Sequence, residues 1–144
     1  MINLLNCRVN KPELEAFDLG MINYAKYLIK KGLIKPPYYF NLILGNIACA
    51  QANLLSLGLM IRELPEGAIW SAGGIGNSQL KMNALAIIDG GGVRIGLEDN
   101  IWYDKQRTRL ATNYELIERI VNIANVMEFQ PYTCKEAREV LGLN

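Results

Sequence analysis

The sequence predicts an α/β fold built from about four successive βα units and a short C-terminal helix. Three observations point there. Short runs of β-type residues alternate with longer runs of helical period from Glu13 to Gly142, the pattern of a parallel sheet with helical crossovers. No low-complexity linker interrupts that alternation, so residues 1–144 read as a single domain. Doubly wound sheets usually have five or more strands and an eight-stranded βα barrel takes about 250 residues, so four units in this length fit half a barrel. An open half would leave two sheet edges uncovered. A partner is therefore expected, either a second copy in a homo-oligomer or a chain carrying the complementary half.

The elements follow in order. "ELEAF" (13–17) reads as the first strand, and "DLGMINYAKYLIKKG" as a helix with Met21, Tyr24, Ala25 and Leu28 at helical spacing, ending at Gly32. "PPYYFNLIL" is a second strand entered through Pro36 and Pro37, and Asn46 is placed to cap a helix running to Pro65. "AIWSA" (68–72), the turn "GGIGNS" and the helix "QLKMNALAIIDG" make the third unit. The fourth is "GGVRIGL", a polar loop, and a helix opened by Thr112 with Glu115 three residues on; Thr133 and Glu136 repeat that capping box before a terminal helix.

Composition narrows the function. Fifteen basic against 14 acidic side chains give a net charge of +1, which offers no electrostatic footprint for nucleic acid. No apolar run reaches the roughly 18 to 20 residues of a membrane span. "MINLLNCRVN" lacks the basic and apolar regions of an export leader. Cys7, Cys49 and Cys134 are odd in number and widely spaced, as in reduced cytoplasmic proteins. Cys49 has no imidazole to activate it, because the chain contains no histidine.

"GGVRIGLEDN" (91–100) carries the chemistry. On a strand, Val93, Ile95 and Leu97 share one face while Arg94, Gly96 and Glu98 share the other, with Glu98, Asp99 and Asn100 at the C-terminal end. Barrels and open α/β sheets place active sites at that end. The charges then line a site; the alternative is an internal Arg94–Glu98 ion pair that only fixes register.

"PELEAFDLGMINYAKYLIKKGLIKPPYYFNLILG", "IWSAGGIG" and "GGVRIGLEDNIWYDKQRTRLATN" resemble the C-terminal half of the beta-keto acid cleavage enzymes, founded on the 3-keto-5-aminohexanoate cleavage enzyme of lysine fermentation. The resemblance runs from about residue 8 to residue 143. It implies a (β/α)8 TIM barrel holding a divalent metal, usually zinc, that converts a β-keto acid and acetyl-CoA into acetoacetate and a new CoA ester. By motif, Glu98 matches the carboxylate metal ligand, Asp99 a catalytic acid and Arg94 the arginine that works with it. The family's other metal ligands are histidines of an early strand, which this chain does not contain. The resemblance therefore implies metal-dependent cleavage completed by another half, or else a non-catalytic assembly module or inactive fragment.

Other candidates are weaker. "GGIGNS" precedes a helix, so Gly73, Gly74 and Gly76 are placed to cradle a CoA phosphate or simply to turn the chain; a small phosphate-binding domain built on that turn is a third reading. Lys105, Arg107 and Arg109 read as a solvated surface, a subunit contact or a CoA phosphate contact. Glu15, Asn41 and Ser71 are strand polar groups, either substrate contacts or satisfied core residues. Trp70, Trp102 and the tyrosines of "PYYFN" read as packing.

Overall fold

The computed structural model describes residues 11–143. Cys7 and the segment read as lacking a leader lie outside those residues. The described strands are β1 (Glu13–Ala16), β2 (Tyr39–Leu44), β3 (Ile69–Gly74) and β4 (Gly92–Val93). They form one parallel sheet in the order β1-β2-β3-β4. The helices are α1 (Leu19–Lys30), α2 (Leu54–Arg62), α3 (Gln79–Ile88), α4 (Asn113–Val126) and α5 (Cys134–Val140).

Spatial order follows chain order, and α1 to α4 pack on one face of the sheet. Leu14, Ala16, Phe40, Leu42, Leu44 and Ala72 pack there on Ile22 and Ala25 of α1, Leu57 and Met60 of α2, and Met82 and Ala86 of α3. Ile87, Ile120 and Ala124 extend the layer to α4 by closing on Val93 and Ile95. Each side chain of Leu or Phe size buried this way contributes roughly 2 kcal/mol, so this layer dominates stability. No described helix is long and apolar enough to cross a membrane.

Local chemistry sets the ends of the helices. Asp18 caps α1 by accepting from the Met21 amide at 2.9 Å. At the other end Gly32, at φ 70°, lets its own N–H reach the Ile29 carbonyl and that of Leu33 reach Leu28. Both predicted capping boxes are present, Thr112 with Glu115 and Thr133 with Glu136.

The predicted helical spacing of α1 is present, with Ile22 and Ala25 taking the sheet contact and Met21 and Tyr24 exposed beside β1. Two expectations are corrected. The second helix is capped by Asn53, whose side chain accepts from Ser56, and not by Asn46. Gly45 at φ 90° turns the chain there, and the bonds Gly45 N–H to Ala50 and Ala50 N–H to Phe17 close a loop tied to the end of β1. Strand β4 stops at Val93, so the two-residue alternation does not continue to Glu98. Instead the Gly96 carbonyl accepts from Asp99 and Asn100, both at 3.3 Å, and closes a turn.

Candidate active site

Odd-numbered strand positions point to the face opposite the helices. Glu15 of β1 aligns with Asn41 of β2, Ser71 of β3 and Gly92 of β4. The buried Asn41 and Ser71 side chains bond each other; Asn41 also bonds Glu13, and Ser71 contacts the Tyr39 hydroxyl at 2.9 Å. The floor of this face is thus polar and largely satisfied.

Arg94 crosses above it. Its Nη1 lies 2.6 Å from Glu15 Oε1, its Nε 3.1 Å from Asp99 Oδ2, and its Nη2 3.3 Å from Glu98 Oε2. The guanidinium is mostly buried and so is Asp99, Glu15 is half-exposed, and the Glu98 side chain is 83% exposed. Burial pulls the Arg94 pKa down, but the hydrogen bond and charge of Asp99, and then Glu15, outweigh it and leave the value raised. The cation is locked in its charged form. Of the three contacts, the buried one to Asp99 carries most of the structural energy, because exposed pairs contribute about 0 to 1 kcal/mol.

The three charges of "GGVRIGLEDN" do meet, and not as a simple Arg94–Glu98 pair. What spacing missed is Glu15, 79 positions from its partner. The only sequence signal was its place in the polar row Glu15, Asn41, Ser71.

The glycine turn sits beside this group. Gly73 and Gly74 are the last residues of β3, and a Cβ at Gly74 would lie 2.7 Å from the Ser78 carbonyl oxygen. Gly76, at φ 58°, donates to the Asp99 carbonyl at 2.7 Å, tying the turn to the charged segment. Packing and turn geometry thus account for Gly74 and Gly76, and the amides of Ile75, Gly76 and Ser78 already have partners inside the protein.

In the following loop the Asp104 carboxylate binds the amides of Thr108 and Arg109. Arg109 and Arg119 both lie over the Tyr103 ring, at 4.3 and 4.6 Å from its centroid, and Arg109 also pairs with Glu115. Arg107 reaches Asn77 above the glycine turn at 3.3 Å. Trp70 packs over Gly91, consistent with its reading as a packing residue.

Among the described residues no group of three or more His, Cys, Asp or Glu side chains could hold a metal ion. Glu98 offers one exposed carboxylate, and the histidine count is zero. The donor set on this chain does not by itself fit a zinc site, which needs at least three protein ligands.

The sequence profile of the beta-keto acid cleavage enzymes matches residues 1–143. The chain belongs to the beta-keto acid cleavage enzyme family. It is 43% identical over 133 residues to the 3-keto-5-aminohexanoate cleavage enzyme of Fusobacterium nucleatum, covering 92% of this chain and 48% of that protein. The enzyme of the same name from Acetoanaerobium sticklandii is 38% identical over 134 residues, covering 93% and 49%. A 3-dehydrocarnitine:acetyl-CoA trimethylamine transferase of Rhizobium meliloti is 36% identical over 133 residues, covering 92% and 44%. The chain spans about half the length of these relatives. In this member of the beta-keto acid cleavage enzyme family, the segment Arg94 to Asp99 meets Glu15 of β1 on the polar face of the sheet.

Proposed function

We propose that this chain supplies the C-terminal half of a (β/α)8 barrel that cleaves a β-keto acid with acetyl-CoA, giving acetoacetate and a new CoA ester. The observation that carries the reading is Arg94, held between Glu15 and Asp99 on the polar face of a sheet whose other face is covered by α1 to α4. The relatives' names, which include acetyl-CoA transferases of several keto acids, support the substrate classes.

In this reading Arg94 and Asp99 are catalytic. Asp99, buried behind the cation, fixes the guanidinium, whose polarity then stabilises the enolate that forms when a proton leaves the carbon between the two substrate carbonyls. With Glu98 given to the metal and Asp99 buried, Glu15, half-exposed and bonded to Arg94 through Oε1, is the carboxylate left to take that proton. Glu98 is offered as one metal ligand; a divalent metal, zinc by the resemblance, would polarise the keto oxygen once histidines from a complementary half complete its shell. Gly73, Gly74 and Gly76 form the rim over which the CoA phosphates would pass, beside Lys105. The reading takes the enzyme as cytoplasmic from its odd, widely spaced cysteines, of which Cys49 and Cys134 are free in the structure.

The complementary half has two places to attach. An apolar cleft of about 470 Å³ flanks β1, lined by Leu14, Met21, Tyr24, Leu28 and Phe40. Another of about 500 Å³ flanks β4, lined by Val93, Ile120, Ala124, Phe129 and Tyr132. Both edges of the sheet are thus bordered by apolar surface of the kind that a neighbouring βα unit covers.

The test is metal content and acetoacetate formation from a β-keto acid and acetyl-CoA, on this chain alone and mixed with the N-terminal half of the Fusobacterium nucleatum relative. The expected result is about one metal per pair and turnover only in the mixture. Association of the halves with neither metal nor turnover would overturn the reading.

A further inference from the structure

The residues that carry Arg94 are not held by a strand. The β3–β4 ladder consists of the pairs Ser71 with Gly92 and Ala72 with Val93, and ends there. Beyond it, two side chains of α3 take over. Asn83 donates through Nδ2 to the carbonyls of both Ala72, at 3.1 Å, and Arg94, at 2.8 Å. One turn earlier, Gln79 donates through Nε2 to the Gly96 carbonyl at 2.8 Å. That carbonyl closes the turn presenting Asp99, and Arg94 N–H itself bonds Ala72 at 3.1 Å.

Both amides are fully buried, and Gln79 Oε1 and Asn83 Oδ1 have no hydrogen-bond partner among the described residues. An apolar side chain would fill the same helix face without burying an orphaned acceptor, whose desolvation costs about 1 to 3 kcal/mol. Packing therefore does not explain these residues; their donors do. Opposite them, a Cβ at Gly73 would lie 3.1 Å from the Arg94 carbonyl oxygen and 3.2 Å from its Cβ, so β3 leaves room for the arginine to start across the sheet.

We infer that Gln79 and Asn83 are positioning residues, which replace the missing ladder and fix the backbone from Arg94 to Gly96 so that one guanidinium reaches Glu15, Glu98 and Asp99 together. The inference deepens the proposed function, because the aligned group is the one given the chemistry there. Its test needs no turnover and is thus separable from the failure of that reading.

The measurement is hydrogen exchange of the Arg94 Nε–H and of the Asp99 and Asn100 amides in the ¹⁵N-labelled full chain, the Arg94 signal being identified by its loss in Arg94→Lys. Gln79→Met and Asn83→Leu remove the donors at similar volume. Ala86→Gly, on the same face of α3, serves as a control that lowers stability without touching them. Expected is exchange at Arg94 and Asp99 roughly tenfold faster in Gln79→Met and Asn83→Leu, out of proportion to the amides of β2, and a uniform change in Ala86→Gly. Should Asn83→Leu fail to fold, Gln79→Met and Asn83→Ser carry the comparison. Arg94 exchange that is unchanged, or that follows global stability alone in all variants, would overturn the inference.

Discussion

Arg94 and Glu15 meet at 2.6 Å across the whole width of the sheet, from the segment after β4 to the first strand. Between them in the polar row stand Asn41 and Ser71, whose side chains bond each other. The contact links the two ends of the sheet, so removing the guanidinium acts on both.

The first prediction weighs its three contacts. Arg94→Met leaves Asp99 buried and unpaired, a loss of about 3 kcal/mol. Glu98→Gln removes only an exposed pair and should stay within about 0.5 kcal/mol. Urea denaturation of the two variants measures both. Equal losses would show that burial of Asp99 does not set the energy.

Metal binding should order the same two variants differently. In the complemented pair Glu98→Gln is expected to lower metal affinity by roughly a hundredfold or more while stability barely moves, because a ligand is lost and no buried partner. Metal titration of the pair reads it. Unchanged affinity would remove Glu98 from the metal shell.

The sequence made the local parts of this fold readable and left the distant ones obscure. Thr112 with Glu115 and Thr133 with Glu136 need only residues three apart, and both boxes formed. Asn46 and Asn53 offer the same capping chemistry, and the choice between them fell to a loop closed by Phe17, some thirty residues earlier. The alternation Val93, Arg94, Ile95, Gly96, Leu97 has strand period, yet the ladder stops at Ala72 with Val93 although β3 runs on to Gly74, and the side chain of Asn83 takes the Arg94 carbonyl instead. Glu15 was visible only as one member of a polar row, since no spacing rule connects it to Arg94.

The capping boxes carry a pH dependence. Thr112, through its side chain and then its backbone N–H, lowers the Glu115 pKa, with Arg109 adding to the effect; Thr133, through its backbone and side chain, lowers that of Glu136. A carboxylate with a lowered folded value contributes stability that is full above its unfolded pKa and is lost as pH falls through the folded one. The starts of α4 and α5 should therefore fray below the ordinary glutamate range. Exchange of the Thr112 and Thr133 amides, which donate to the Glu115 and Glu136 carboxylates, follows it against pH. If Glu115→Gln and Glu136→Gln leave that acid transition in place, the boxes are not its cause.

Glycine substitutions separate packing from phosphate binding. Gly74→Ala drives a Cβ into the Ser78 backbone and should cost about 1 to 3 kcal/mol. Gly76→Ala meets only Arg107 Nη2, in ordinary contact at 3.6 Å, and is strained only by φ 58°, about 1 kcal/mol. Thermal or urea unfolding orders the two. If the turn also serves CoA, Gly76→Ala should raise the KM for acetyl-CoA in the complemented pair without a matching change for the keto acid; equal KM values would leave the glycines with their turn alone.

The exposed flank of α1 gives the last prediction. Met21 and Tyr24 stand 40% and 62% exposed in the cleft beside β1, and neither contributes to the buried core. Met21→Lys and Tyr24→Glu should therefore leave the unfolding midpoint of this chain within the small range of surface substitutions, about 0.5 kcal/mol. Both place a charge where a neighbouring βα unit would have to bury it, and a buried unpaired charge costs several kcal/mol. Association with a complementary half, followed by light scattering, should weaken by at least roughly a hundredfold, since each 1.4 kcal/mol is a factor of ten. Unweakened association of both variants would mean that the β1 edge is not where the second half docks.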